Sequence, residues 1–299
     1  MKAEKKINLG FALLRIYSSF LVVSSHCFKP QGSFRNKFII KIIRNNSHVP
    51  TFYILSFYLC YKIFKSKNIK KIKIRFQRLL IPYIIWPIIF FSLQNLLSLF
   101  FIKINKISFN MFILQLLTGH VFVPVLWFQY NLIFITLLII IINLLFSEDL
   151  VYYVLINLKI FGIFFTYSNY NYIIFSKYNY NKKFPFGRFF EIIPYCITGY
   201  ILAYINLVNI LSKKRIISIN FFLSVLILVS KYKIFFDIKG FYYQGLKLYI
   251  LSISIFIFFS LIPIERIGNK FIIRFIELFS MNTAGIYFIH LPLRYYLYI

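Results

Sequence analysis

Residues 7–28 read INLGFALLRIYSSFLVVSSHCF. The run is long and apolar enough to cross a bilayer as one helix. It nonetheless carries Arg15 and His26. An ionisable side chain inside a membrane span is expensive and points to a functional site. The two residues are 11 positions apart. At about 100° per residue that separation closes nearly three turns, so both occupy one helix face. At a rise of about 1.5 Å per residue they stand roughly 16 Å apart along it. A secretory signal peptide fits poorly, because Arg15 interrupts the run and many apolar runs follow.

Working outward from this run, comparable stretches fill the chain. They cover 8–28, 48–64, 79–102, 121–146, 150–168, 188–208, 216–231, 245–264 and 281–299. A shorter apolar stretch, 107–119, is either a tenth span or an interfacial helix. Backbone polar groups in lipid must be satisfied within the segment, which selects helices. A β-barrel would show alternating segments of about 10 residues, and these Ile/Leu/Phe runs do not alternate. The expected fold is therefore all-α, a polytopic membrane helical bundle of 9–10 spans. Composition agrees: 60% of residues are hydrophobic, against about 45–50% in soluble domains. The mean hydropathy is +0.76. The longest stretches between spans, 29–47 and 169–187, are too short for a soluble domain, so residues 8–299 are expected to form a single membrane domain.

The formal net charge is +28, from 35 Lys and Arg against 7 Asp and Glu. On a soluble protein that balance would suggest nucleic acid. Here most cations lie in short connections between apolar runs, so anionic membrane lipids are the expected partner and nucleic acid is not. With the N-terminus inside, 17 Lys and Arg fall on the cytoplasmic side and 15 outside. The positive-inside rule thus favours, slightly, a short basic cytoplasmic N-terminus at residues 1–7. The strongest local contribution is Lys62 to Arg78, with eight cations and no acid.

Cys27, Cys60 and Cys196 lie singly in apolar runs, which excludes a CxxC pair and suits small embedded residues. No metal is expected. The four histidines, His26, His48, His120 and His290, all border or lie within apolar runs. Histidine is the side chain best placed to move protons near neutral pH. The bland reading of each is a buried imidazole bonded to a carbonyl; His26 stands out because it shares a face with Arg15. Arg15 either snorkels to the inner interface or holds an anion, since a guanidinium binds phosphate bidentately. Arg75 and Arg78 are three apart, on one helix face, ahead of an apolar run. They either grip a polyphosphate or anchor the helix to headgroups. Glu191 either orients a histidine or pairs with Arg188. Lys159 falls inside a span and is expected to face a cavity or a partner.

Taken together these residues resemble the membrane acyltransferase-3 family, the O-acyltransferases of bacterial surface polysaccharides. Arg15 and His26 match its R-x10-H, and Arg75 to Arg78 its RxxR, followed by LLIPYIIW at 79–86. VPTFYILSFYL at 49–59, LWFQYNLIF at 126–134 and NTAGIYFIHLPL at 282–293 resemble its later segments, in order. The resemblance implies an integral membrane enzyme, multi-pass, in the bacterial inner membrane. It implies transfer of an acyl group, commonly acetyl, from cytoplasmic acyl-CoA to a hydroxyl of a glycan or its lipid-linked precursor. It assigns function to Arg15, His26, Arg75 and Arg78. Acyl transfer needs a base, and His26 is the residue expected to supply it or relay the proton, with the arginines toward CoA. His48, His290 and Glu191 are further candidates. Two departures stand out. Phe57 replaces the glycine that usually follows Ser56, and the chain runs only nine residues past His290, so a short last helix is expected. The competing reading is a flippase or transporter of a lipid-linked sugar, which would use the same cations on a pyrophosphate.

Overall fold

A computed structural model describes residues 8–27, 47–100, 105–119, 126–167, 187–231, 246–263 and 269–297. Among the described residues there are eleven helices and no strand. They are α1 (Leu9–Cys27), α2 (His48–Lys65), α3 (Ile69–Phe100), α4 (Phe109–Thr118), α5 (Leu126–Leu145) and α6 (Glu148–Tyr167). Then follow α7 (Gly187–Tyr204), α8 (Leu207–Ser212), α9 (Arg215–Lys231), α10 (Leu246–Leu261) and α11 (Lys270–Leu297). The fold is all-α, as the apolar runs require. Among the described residues, α3 and α5 are two helices long and apolar enough to cross a membrane.

The helix ends differ from the hydropathy limits at three places. The third helix begins at Ile69, ten residues before the apolar run. Asn68 caps it: its Oδ1 accepts from the Lys71 amide at 3.1 Å. Asparagine at this position satisfies an otherwise orphaned first-turn amide. The basic stretch after it is therefore helix and not loop. The last helix is not short, contrary to expectation: it spans 28 residues from Lys270. Asn269 Oδ1 caps its start, accepting from the Phe271 amide at 2.9 Å. The stretch expected at 107–119 is α4, only 10 residues long. That length is about 15 Å, half of a hydrocarbon core of roughly 30 Å, so α4 does not span by itself. Ser108 caps its start through the Met111 amide, and Gly119, at φ 72°, closes its end by donating to the Gln115 carbonyl. That left-handed conformation suits glycine.

The chain divides into two compact units. The first holds Met1–Leu59 and Thr198–Arg294. In it α9 and α10 pack along each other, α8 touches both, and α1 packs on α10. Leu9 and Ala12 of α1 form a buried cluster with Ile276 of α11. Helix α7 approaches α2 closely at Gly199, where an added Cβ would stand 2.2 Å from the Ile54 carbonyl oxygen. Phe57, in the place of the usual glycine, is itself buried on α2 at 1% exposure.

The second unit holds Cys60–Ile197 with Tyr295–Ile299. Helices α3 and α4 form a hairpin. The Asn95 side chain both donates to the Ile107 carbonyl (3.2 Å) and accepts from its amide (2.8 Å). Lower on the hairpin the Tyr83 hydroxyl donates to the Leu116 carbonyl at 2.6 Å. Helix α5 runs antiparallel to the first part of α3. Gln129, in its first turn, donates to the Leu79 carbonyl at 2.8 Å. At its other end the Phe146 carbonyl accepts from Lys67 Nζ at 3.4 Å. Pro82 and Pro87 lie inside α3, and each removes one helix hydrogen bond.

Candidate functional site

Helix α1 is enclosed over most of its circumference, with Phe20 as the exposed exception. Phe20 is 61% exposed. On a helix of about 100° per residue it points about 140° away from Arg15. Ser18, Ser19 and Val22 fall within about 60° of the Arg15 direction. Those three are 1%, 3% and 2% exposed. The side chains beside Arg15 are thus enclosed, as is most of the helix: Leu14 and Leu21, about 100–120° away, are 0% and 5% exposed. One turn before Arg15, Phe11 packs edge-on against Tyr58 of α2 at 5.4 Å and stacks on Phe256 of α10 at 5.7 Å. Tyr17 packs on Phe259 at 5.2 Å. These rings tie α1 to α2 and α10 and hold its rotation. Arg15 itself is half-buried and engaged. His26 lies in α1, and by register it falls within about 20° of the Arg15 direction. Its side chain is outside the described residues.

Arg75 and Arg78 occupy consecutive turns of α3, on one face. Arg75 is half-buried and Arg78 exposed. Just before this pair, the chain is tied to the α5–α6 turn. Lys65 Nζ lies 2.5 Å from Glu148 Oε1, and Lys67 bonds the Phe146 carbonyl. The hydrogen bond to Glu148, with the Tyr61 phenolic oxygen second, raises the Lys65 pKa above the usual lysine value. Lys65 therefore remains a cation throughout the physiological range.

The other candidates scatter. His48 opens α2 and is buried at 4%. Glu191 is buried at 5% on α7, in the second unit, while the side chain of Arg188 lies outside the described residues. Lys159 is half-buried on α6 and engaged. His290 lies on α11, its side chain outside the described residues, and His120 falls outside them altogether. The structure thus brings Arg15 and His26 together on one helix face of the first unit, and Arg75 and Arg78 together on one face of the second. Among the described residues no group of three or more His, Cys, Asp or Glu gathers as a metal site would.

An acyltransferase domain of the acyltransferase-3 type matches residues 8–299 of this chain. The chain belongs to the acyltransferase-3 family. Its members are acyltransferases and generally membrane-associated. Compared with curated proteins and with solved structures, the chain finds no match. Within the family frame, Ser18 and Ser19 are the residues that reading the sequence for chemistry passed over. Their signal was present as positions three and four after Arg15, the spacing of neighbours on one helix face.

Proposed function

We propose that this acyltransferase is a polytopic membrane O-acyltransferase. Its donor is cytoplasmic acyl-CoA, acetyl-CoA in the simplest case. Its acceptor is a hydroxyl of a cell-surface glycan or of the lipid-linked precursor. The observation that carries the reading is the burial around Arg15 on α1. Its neighbours Ser18, Ser19 and Val22 are 1%, 3% and 2% exposed, which favours a ligand-holding guanidinium over one that snorkels outward. The exposed apolar side chains of α3, from Ile81 to Phe100, suit a lipid-facing helix. The location that follows is the bacterial inner membrane, with the N-terminus cytoplasmic.

The chemistry needs a base for the acceptor and a carrier for the leaving group. His26 takes the proton from the acceptor hydroxyl as its oxygen attacks the thioester carbonyl. The new carbon–oxygen ester bond forms, the carbon–sulfur bond breaks, and the proton passes to the departing CoA thiolate. Arg15 holds an anionic or carbonyl oxygen of the donor. Arg75 and Arg78 bind CoA phosphates, a task for paired guanidinium groups. Acyl-CoA is a substrate here, and no metal takes part in these steps.

The test compares Arg15→Ala and His26→Ala in membranes, measuring acetyl-CoA binding and acetyl transfer to the glycan. His26→Ala should keep binding and lose transfer by about two to four orders of magnitude, the usual worth of a general base. Arg15→Ala should chiefly weaken binding. Wild-type-like transfer by His26→Ala would remove His26 from the mechanism. Translocation of a sugar-lipid with no acyl-CoA binding would replace the whole reading with the transporter.

A further inference from the structure

Serines inside helices normally return their hydroxyl to the carbonyl three or four residues back. This chain does so repeatedly. Ser252 Oγ bonds the Leu248 carbonyl at 2.7 Å, Ser260 Oγ the Ile257 carbonyl at 2.7 Å, and Thr51 Oγ1 the Ser47 carbonyl at 2.6 Å. Ser18 and Ser19 do not. Both hydroxyls are fully enclosed and have no hydrogen-bond partner among the described residues. Both residues are more than nine-tenths buried, at 1% and 3% exposure. Leaving a buried hydroxyl unsatisfied is costly, and such groups are rare in proteins without a reason. Here two are adjacent, and they flank the Arg15 direction on either side.

We infer that the Ser18 and Ser19 hydroxyls bind the amide-bearing arm of the acyl donor. The inference rests on the acyl-CoA reading and extends it to residues outside the family motif. The serines lie about 4–6 Å along α1 from Arg15, toward His26. A donor admitted along this face between Arg15 and His26 lies beside them by helix register, and the helices packed over the enclosed hydroxyls must part to admit it. Its arm between phosphates and thioester carries two amides, each offering a carbonyl to a hydroxyl donor and an N–H to a hydroxyl acceptor. A serine hydroxyl does both. The glycan acceptor is less well matched. It reacts at the far end, near His26, and has no need to reach the turn next to Arg15.

The experiment uses the full-length protein in detergent, with acetyl-CoA and adenosine 3′,5′-bisphosphate as probes. The second probe has the phosphates and no amide. Ser18→Ala/Ser19→Ala should weaken acetyl-CoA binding about tenfold or more, the worth of two modest hydrogen bonds. Binding of adenosine 3′,5′-bisphosphate should be unchanged. The thermal unfolding midpoint without ligand should stay level or rise, because two unsatisfied groups have been removed. Three results overturn the inference: equal acetyl-CoA affinity in variant and wild type, equal weakening of both probes, or a lower unfolding midpoint, which would make the hydroxyls structural. Weakened acceptor binding with donor binding intact would assign the serines to the glycan instead and also overturn it. Wild-type protein that binds neither probe would overturn the acyl-CoA reading itself, and this inference with it.

Discussion

Gly199→Ala adds one methyl group where α7 meets α2. The new Cβ would stand 2.2 Å from the Ile54 carbonyl oxygen, 2.9 Å from its carbonyl carbon and 3.0 Å from its Cα. Close carbon–oxygen contacts in proteins begin at about 3.3 Å, so the helices must part by about 1 Å. All three obstructing atoms are backbone, and no rotamer change relieves them. Overpacking a rigid site costs roughly 1–3 kcal/mol, and a backbone obstruction belongs at the upper end. Alanine returns about 1 kcal/mol through its better helix propensity. The net loss is then about 2 kcal/mol, or a fall of about 4–8 °C in the unfolding midpoint for a chain of this size. Thermal unfolding in detergent, followed by intrinsic fluorescence, reads it directly. Gly285→Ala is the control. Nothing lies within 4 Å of its added Cβ, so only the propensity gain remains and the midpoint should not fall. Gly10→Ala should behave like Gly199→Ala, because its Cβ would meet the Phe259 carbonyl oxygen at 2.1 Å. The reasoning is refuted if Gly199→Ala melts within about 1 °C of wild type, since the α2–α7 approach would then be looser than drawn.

Two further predictions concern the second unit. Asn95→Leu removes both hydrogen bonds to Ile107 and leaves that residue's amide and carbonyl unsatisfied, so it should destabilise by about 2 kcal/mol; an unchanged unfolding midpoint would show that the α3–α4 turn does not depend on this side chain. Single cysteines at Ser66 and Ser147, both exposed and both beside the Lys67–Phe146 contact, should react with an impermeant thiol reagent from the same, cytoplasmic side, and one at Lys106 from the other. Labelling of Ser66→Cys and Ser147→Cys from opposite sides would break the topology.

The local parts of this fold were readable from the sequence. The Arg15–His26 spacing depends only on helix periodicity, and α1 carries both residues in one unbroken helix. The RxxR spacing is equally local, and α3 keeps it on one face. Helix ends were less readable, for a physical reason. Hydropathy marks where a segment stops liking lipid, whereas a helix stops where its caps and backbone direct. Lysine disfavours hydrocarbon and favours helix, so Ile69 to Arg78 reads as a connection by the first measure and as helix by the second. Asn68 and Asn269 were the residues that marked the true starts. Arg274 and Glu277 hid the first turns of α11 in the same way, because charge lowers hydropathy without ending a helix.

Rotation about the helix axis was the quantity that spacing alone left open. Arg15 and His26 share a face whichever way α1 is turned, and a snorkelling arginine is compatible with that spacing. Phe11, Tyr58 and Phe256 come from three helices, and their mutual contacts fix the rotation. Once it is fixed, Phe20 is exposed and Arg15 is half-buried beside the buried Ser18, Ser19 and Val22. Ser18 and Ser19 then acquire a meaning that no motif assigns to them. A serine in a sequence carries no sign of whether its hydroxyl is satisfied. Only the packing shows that the neighbouring carbonyls are not used and that no other partner among the described residues is within reach. A buried donor without a protein partner is tolerated where a ligand completes it, and the face that holds these two is the face that holds the guanidinium.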